Sequence, residues 1–427
     1  MKRFTLSIPA PLQILTVLLA LAILLALGCG ESSITGPAEE IPGLPRALSA
    51  NEEQIIDSGN DFAFRFLNQI FEAAPDSNLF LAPLSASMAL GMTMNGAQGS
   101  TFEEMSTTLG FGALTLDQIN DGYRDLTDLL LDLDPSVELG IGNSIWYREG
   151  FPVRSDFVDR TESYFDAEIA ALDFSRPTAA TTINAWVKAA TKGKIEEIVE
   201  DPIHPLTIMF LINAIYFKGD WTHQFPKEKT QTAPFYELDG GTGSVPLMEL
   251  ADTLPYVETN LVQAVDLPYG GKAFSMTLLM PLPTATIREV VNSLDPATWA
   301  QIVGNLQPKE GTVNLPRFRM EWERELNDDL QAMGMNVPFQ GGAADFSGLC
   351  DEALQRGIYI SKVKQKTYVD VNEEGTEAAG VTSVEIRETS IPERFTFRAD
   401  RPFLFVIRER FSETILFAGI LVEAPRP

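Results

Sequence analysis

The stretch of sequence that decides the fold is IMFLINAIYFKGDW, at residues 208–221. Residues 208–217 are apolar except for Asn213 and are rich in β-branched and aromatic side chains, which is typical of a strand buried on both faces. Such a strand lies centrally in a sheet. Further strands are predicted at 274–280, 403–407 and 414–421, and the last two are close enough in sequence to pair as a hairpin.

Helical periodicity occurs among these strands. Apolar residues between Ile55 and Ile70 recur at helical spacing and stop before Pro75, and a second stripe runs from Ile183 to Ala190. Helices and strands are mixed without the regular alternation of a parallel α/β fold. The sequence therefore predicts an α+β architecture.

A short helix is predicted to end at Gly110. The pair Ser100 and Glu103, or Thr101 and Glu104, has the spacing of a capping box at its start. A glycine directly after the last helical residue is the usual terminator.

Length and composition allow one large domain. The 427 residues are 45% hydrophobic, which is enough for a substantial core, and no second linker or repeat follows residue 51. The chain has 59 acidic and 32 basic residues, with a net charge of −27. Nucleic acid and anionic membrane surfaces would repel such a protein.

Most enzyme classes lack their necessary residues here. The chain contains only two histidines, His204 and His223, and two cysteines, Cys29 and Cys350. Most histidine-based catalytic and metal sites therefore cannot be built. There is also no phosphate-binding loop of the Walker kind and no nucleophile elbow. We expect neither an enzyme nor a bound cofactor or metal.

The N-terminus has the pattern of an export signal. Lys2 and Arg3 are followed by a largely apolar run without charge until Glu31. The sequence LALGC at 25–29 resembles the bacterial lipoprotein cleavage box, in which the cysteine is acylated. An uncleaved transmembrane helix is the alternative, because the apolar run is nearly long enough to span a bilayer.

We expect a lipoprotein signal peptide at 1–28, a flexible linker at 29–50 that carries lipidated Cys29, and a globular domain at 51–427. The protein would be exported and held by its lipid at a bacterial cell envelope, in the periplasm or on the cell surface. With Cys29 acylated, Cys350 has no partner for a disulfide.

Residues 375–390 are the most informative about function. Alternate positions form one face on which every side chain is small or apolar, namely Thr376, Ala378, Gly380, Thr382, Val384 and Ile386. Such alternation predicts a strand with one buried face. The glycine and alanine content of the first half also allows a loop or a helix, so composition alone leaves the conformation open.

Long motifs from about residue 51 to 421 resemble the serpin superfamily, in family order. They are NLFLAPLS at 78–85, INAWV at 183–187, NAIYFKGDW at 213–221, LPRF at 315–318, ADFSG at 344–348 and RPFLF at 401–405. The resemblance implies the serpin fold, with three β-sheets, eight to nine helices and an exposed reactive-centre loop at 375–390.

The resemblance also implies a mechanism. A target serine protease attacks the loop as a substrate and forms an acyl-enzyme, and the cut loop then enters the main sheet and traps the protease. The expected partner is therefore a serine protease in a covalent complex with a monomeric inhibitor. A non-inhibitory serpin that acts as a surface binding or scaffold protein is the alternative.

The loop hinge matches the pattern of inhibitory members of that superfamily. The matching residues are Glu373, Gly375, Thr376, Glu377, Ala378, Ala379 and Gly380. The family register puts the reactive bond between Thr389 and Ser390, which would suit an elastase-like or subtilisin-like protease. A register shifted to Arg387 would instead suit a trypsin-like protease.

The resemblance places the opening of the main sheet at Ser85, Asn213, Trp221 and Gln365. Gln365 stands where relatives often have a histidine, and Ala82 where they often have a serine. The usual hydroxyl-to-imidazole hydrogen bond cannot form here. Because an amide does not titrate, we predict that loop insertion depends less on pH between about 5 and 7 than it would in a relative with histidine.

Overall fold

The structure is a computed structural model that describes residues 38–376 and 394–425. In these residues the chain forms ten α-helices, two short 3₁₀ helices and fifteen strands, which confirms the α+β class. The count exceeds the expected eight to nine helices because it includes very short ones, such as the last two. The α-helices are α1 Ala50–Ala73, α2 Pro83–Met94, α3 Gly99–Leu109, α4 Leu116–Leu131, α5 Ser155–Phe165, α6 Pro177–Ala190, α7 Ile287–Ser293, α8 Pro296–Gly304, α9 Asn327–Ala332 and α10 Ala353–Arg356.

The strands form two hydrogen-bonded sheets. Six of them make the main sheet, in the order β10-β11-β12-β4-β2-β3, and nine make a second sheet, in the order β1-β15-β14-β8-β7-β6-β9-β13 with β5 on β6. The strands are β1 Leu79–Leu81, β2 Val137–Arg148, β3 Glu168–Leu172, β4 Met209–Asp220, β5 Gln231–Tyr236, β6 Thr242–Glu258, β7 Val262–Tyr269, β8 Phe274–Pro281, β9 Gln307–Pro316, β10 Phe318–Glu325, β11 Lys364–Val371, β12 Gly375–Thr376, β13 Phe395–Arg398, β14 Phe403–Glu409 and β15 Ile415–Leu421.

Three sheets were expected, and the length of β6 explains why the described residues contain two. This strand has 17 residues. It pairs with β5 over 242–247, with β9 over 247–256 and with β7 over 256–258. One continuous strand therefore joins what would otherwise be two smaller sheets.

The strand predicted from residues 208–217 is confirmed as β4, which lies between β2 and β12 in the main sheet. Both of its faces are covered, as predicted. Phe217 belongs to the main hydrophobic core. Ile212 joins a smaller cluster with Ile183 and Val187 of α6, the helix predicted from the stripe at 183–190. Burial on two sides explains the apolar run in this part of the sequence.

Helix α3 ends at Gly110 as predicted, in a left-handed conformation with φ of 80°. The predicted capping box is wrong, because Gln98 is the N-cap residue and no side chain caps the helix. The carboxylate of Glu104 instead accepts hydrogen bonds from the backbone N–H groups of Asn336, at 2.7 Å, and Val337, at 2.6 Å. Glu104 therefore makes a tertiary contact in place of the capping contact that the local sequence pattern predicted.

The described part of the predicted linker packs against the globular body. The backbone N–H of Ile41 donates to the carbonyl of Gly271 at 2.7 Å, and Leu44 and Leu48 pack against the main core. The folded body therefore includes residues 38–50, which we had expected to be flexible. Residues 1–37, which contain the expected signal peptide and Cys29, lie outside the described residues.

In the part of the chain that the structure describes, no helix has the length and apolar character needed to cross a membrane.

Candidate functional site

The described residues of the predicted hinge lie within or beside the main sheet. Gly375 and Thr376 form β12, between β11 and β4. Thr376 pairs with Val371 on one side and with Gly219 on the other. At this end of the sheet, β4 and β11 are therefore separated by the width of one strand, and the hinge fills the gap between them.

A tight turn built on Asn372 leads from β11 into β12. Its backbone N–H donates to the carbonyl of Gly375 at 3.0 Å, and its side-chain oxygen accepts from the N–H of Glu374 at 2.9 Å. Trp221, which follows β4, donates to this turn twice. Its indole N–H donates to the carbonyl of Asn372 at 2.9 Å, and its backbone N–H donates to the carbonyl of Glu374 at 2.9 Å. The hinge is thereby tied to the end of β4.

Gly375 occupies a position that admits no side chain. A Cβ atom there would lie 2.2 Å from the carbonyl oxygen of Gly219 and 2.7 Å from the Cα of Asp220. Both atoms belong to the backbone of β4, so neither can rotate away. Glycine is required here for close approach of two strands.

Thr376 points toward the interior. Its hydroxyl lies 2.8 Å from the hydroxyl of Tyr269, and both residues are buried. Burial raises the pKa of Tyr269 far above its usual range, so the phenol stays neutral. The ring of Tyr269 stacks on that of Trp221 with centroids 4.5 Å apart.

Glu373 is the third described hinge residue. The residue is only 5% exposed, and its carboxylate accepts a hydrogen bond from the hydroxyl of Thr230 at 2.7 Å. Arg317, which is half exposed, approaches the same oxygen at 3.5 Å, and Lys227 pairs with the neighbouring Glu374. These groups line an open cleft of about 540 Å³ beside the hinge.

Ser85 and Asn213 meet further along β4. The Ser85 hydroxyl, on α2, donates to the carbonyl of Asn213 at 3.3 Å. The Asn213 side-chain amide donates to the side-chain oxygen of Asn143 at 2.8 Å. Its own side-chain oxygen is buried without a hydrogen-bond partner in the described residues. These contacts hold α2 against β4, and β4 against β2.

Gln365 makes two hydrogen bonds to the residue that precedes α2. Its side-chain N–H donates to the carbonyl of Ala82 at 2.9 Å, and its oxygen accepts from the Ala82 N–H at 3.1 Å. The neutral amide therefore binds backbone, in place of the hydroxyl-to-imidazole bond expected in relatives. Thr376 pairs with Val371 of β11 and with Gly219 of β4. Gln365 lies six residues before Val371, and Asn213 lies six residues before Gly219.

The structure thus divides the predicted site into two groups. Trp221 lies with Glu373, Gly375 and Thr376 at the hinge, whereas Ser85 contacts Asn213 of β4 and Gln365, near the start of β11, contacts Ala82. The remaining predicted residues lie outside the described residues: Glu377, Ala378, Ala379, Gly380, Thr389 and Ser390.

Sequence reasoning missed Tyr269, Asn372 and Thr230. Tyr269 ends a strand 48 positions after Trp221, and no spacing pattern in the sequence connects the two. Among the described residues there is also no group of three or more His, Cys, Asp or Glu side chains placed to hold a metal ion.

The described part of the site is thus a two-residue strand, β12, that is paired on both sides with longer strands of the main sheet. A family model described as Serpin (serine protease inhibitor) matches residues 57–424. The chain belongs to the serpin family.

Individual relatives agree with this assignment. Iripin-2 of Ixodes ricinus is 34% identical over 375 residues, which cover 86% of this chain and 93% of the relative. The leukocyte elastase inhibitor of Equus caballus is 34% identical over 379 residues, covering 86% and 98% of the two chains.

Solved structures agree as well. The thermophilic serpin tengpin in its native state superposes with a TM-score of 0.79 at 28% identity, covering 91% of this chain and 97% of that chain. Human thyroxine-binding globulin complexed with thyroxine gives a TM-score of 0.80 at 28% identity, with 88% and 100% covered. The serpin fold and the expectation that the chain is not an enzyme are confirmed. Named relatives include inhibitors, and the thyroxine-binding globulin is a binding protein.

Proposed function

We propose that this chain inhibits a serine protease as a suicide substrate, by cleavage of its reactive loop and insertion of that loop into the main sheet. The observation that carries the proposal is the position of Gly375 and Thr376 between β11 and β4. The first two residues of the loop already occupy the strand position that the rest would enter.

The pairing register supports insertion of the following residues. Thr376 pairs with Gly219 in an antiparallel register, so continued pairing puts Ala378 opposite Phe217 and Gly380 opposite Ile215. Residues opposite each other in a sheet share a face. The uncharged loop face found in the sequence would therefore meet the core, and its first charged residue is Glu388.

Small side chains suit that position, because aromatic residues already fill the space around it. Phe80, Phe217 and Phe417 line the interior beside Thr376. A charge at the leading end of the loop would have to be desolvated there, at a cost of several kcal/mol.

The proposed target is an elastase-like or subtilisin-like protease. The residue before the proposed bond, Thr389, is small and β-branched and suits a shallow specificity pocket. Two relatives at 34% and 33% identity carry the name leukocyte elastase inhibitor.

A denaturing gel tests the proposal. Incubated with elastase-like, subtilisin-like and trypsin-like proteases, the chain is expected to form a covalent complex with one of the first two, with cleavage between Thr389 and Ser390 by mass spectrometry. Cleavage after Arg387 would move the target to the trypsin-like class. Simple cleavage without a complex would instead favour the second candidate, a binding or scaffold protein, for which the likeness to thyroxine-binding globulin speaks.

A pair of loop variants provides the control. Thr376→Arg would force a charge into the buried position beside Tyr269, so the variant should be cleaved without trapping the protease. Glu377→Arg places the same charge on the opposite, already charged face and should still form the complex.

We also propose that the protein works as an exported monomer, attached to a bacterial envelope through lipid on Cys29. Metabolic labelling with a fatty acid checks the anchor: the wild-type protein and Cys350→Ser should carry label, whereas Cys29→Ser should not. Label retained in Cys29→Ser would contradict the anchor.

A further inference from the structure

We propose that Tyr269 is a positioning residue that sets the register in which the reactive loop enters the main sheet. The inference deepens the proposed function and rests on it, since a register matters only if the loop inserts.

The phenol of Tyr269 has one specific partner at the hinge. Its oxygen lies 2.8 Å from the hydroxyl oxygen of Thr376, and the two side chains are 0% and 3% exposed. A buried hydroxyl that loses its partner carries the full desolvation penalty of an unmade hydrogen bond. The pair is therefore a selective contact, because neither hydroxyl can turn to solvent instead.

The ring of Tyr269 is fixed by the strand beside which the loop enters. Its centroid lies 5.0 Å from that of Phe217 and 4.5 Å from that of Trp221. Gly219 lies between Phe217 and Trp221 in the sequence, and a Cβ atom on it would come within 3.0 Å of the Tyr269 ring. These three residues are alternate positions along one face of the chain, so the phenol is anchored in the frame of β4.

A fixed hydroxyl at this point distinguishes between registers. A shift of one residue exchanges the two faces of a strand. It would bring either Gly375, which has no side chain, or Glu377, which has a carboxylate, against Tyr269. Of these three registers, only the observed one pairs the phenol with a hydroxyl and directs the uncharged face of the loop inward.

The test compares four variants with the wild-type protein: Tyr269→Phe, Thr376→Val, the double variant, and Tyr123→Phe as a control. Tyr123 is a buried phenol that packs on Phe111 and Phe165, away from the hinge. The two readouts are the association rate with the protease and the number of inhibitor molecules consumed per protease trapped.

Slower insertion lets more acyl-enzyme hydrolyse before it is trapped. An ideal inhibitor consumes one molecule per protease trapped. Tyr269→Phe and Thr376→Val should therefore each raise the number consumed above one by roughly threefold to tenfold, as expected for one lost hydrogen bond. Association rates should change less than about twofold, and the double variant should be no worse than either single variant, because both remove the same bond. Tyr123→Phe should match the wild type. Equal consumption in Tyr269→Phe and wild type would overturn the inference.

A second measurement separates this inference from the proposed function. After the loop is cut by any protease, insertion is followed as the gain of heat resistance with time. If wild type inserts its cut loop without trapping protease, the proposed inhibition fails, yet Tyr269→Phe should still insert more slowly. If Tyr269→Phe inserts as fast as wild type, or if wild type does not insert, the positioning role is wrong.

Discussion

At the scale of single residues, Gly375 is the hinge position at which an added side chain would meet the backbone of β4. Gly375→Ala would place a methyl group 2.2 Å from a backbone oxygen of β4, so the hinge must leave its strand position or push the sheet apart. We expect a loss of stability of about 1–3 kcal/mol, as for overpacking in a core, and less efficient trapping. Thermal unfolding and complex formation on a gel measure the two effects.

Gly304→Ala is the matched control for that substitution. Gly304 ends α8, and an added Cβ there would meet nothing within 4 Å. The control should unfold like wild type. Equal behaviour of both variants would show that the contact of Gly375 with Gly219 does not limit insertion.

Gln365 provides a second prediction at the residue scale. Its amide supplies one donor and one acceptor to Ala82, whereas a protonated histidine supplies donors only and would face the Ala82 N–H without an acceptor. Inhibition by Gln365→His should therefore slow as the pH falls below about 6.5, while wild type changes little. Inhibition rates measured from about pH 5 to 7.5 decide this. Gln365→Asn, a shorter amide that does not titrate, controls for the lost length.

The hinge also shows how far sequence reasoning reaches at this scale. The burial of Thr376 could be predicted, because alternation concerns consecutive positions, whereas the hinge role of Gly375 and Thr376 stays a prediction from family resemblance. Tyr269 could not, because its contact with Thr376 joins residues 107 positions apart. Such a contact depends on where β7 packs under the main sheet, which no local pattern specifies.

At the scale of secondary-structure elements, local patterns predicted where most elements lie and failed where a tertiary partner intervened. The stripes at 55–70 and 183–190 gave α1 and α6 because helix-forming spacing and burial coincide there. Glu104 failed as a capping residue because it binds backbone groups after α9. The merging of two sheets through β6 was equally invisible, since it depends on which partners a long strand finds.

The turn that follows β4 is joined to β6 by an ion pair whose charge depends on pH. The Nδ1 atom of His223 lies 2.8 Å from a carboxylate oxygen of Asp252. The hydrogen bond to Asp252 raises the pKa of His223, although burial and Lys272 oppose it. At Asp252, burial alone would raise the pKa of the carboxyl. The hydrogen bond from His223, together with a backbone hydrogen bond from Thr253, outweighs this effect, so the pKa is lowered.

The two shifts define a pH window for stabilisation. The His223 contribution is present below its unfolded pKa of about 6.5 and is lost as the pH rises through the raised folded value. The Asp252 contribution is present above its unfolded pKa of about 3.9 and is lost as the pH falls through the lowered folded value. The pair should therefore stabilise most between about pH 4 and 6.5.

We expect His223→Gln to lower the melting temperature more at about pH 5.5 than at about pH 9, because the contribution of the charged histidine is lost as the pH rises through its raised pKa. The effect should be only about 0.5 kcal/mol, because His223 is 45% exposed. A deficit of His223→Gln that is the same at both pH values would mean that packing, not charge, is lost.

At the scale of the whole molecule, net charge should govern the encounter with the protease. The chain carries a charge of −27, and such a field acts over a Debye length of about 8 Å at physiological salt. A basic protease would be attracted, and an acidic one of the same specificity repelled. Steering of this kind changes the association rate far more than the steps after contact.

Raising the salt concentration from about 20 mM to 500 mM shortens the Debye length severalfold. The association rate should then fall by about tenfold or more for a basic protease and rise for an acidic one. The number of inhibitor molecules consumed per protease should stay constant, because insertion of the loop follows the encounter. Stopped-flow measurement with two proteases of opposite charge tests this. Equal salt dependence for both would mean that local contacts around the loop, and not the acidic body, control recognition.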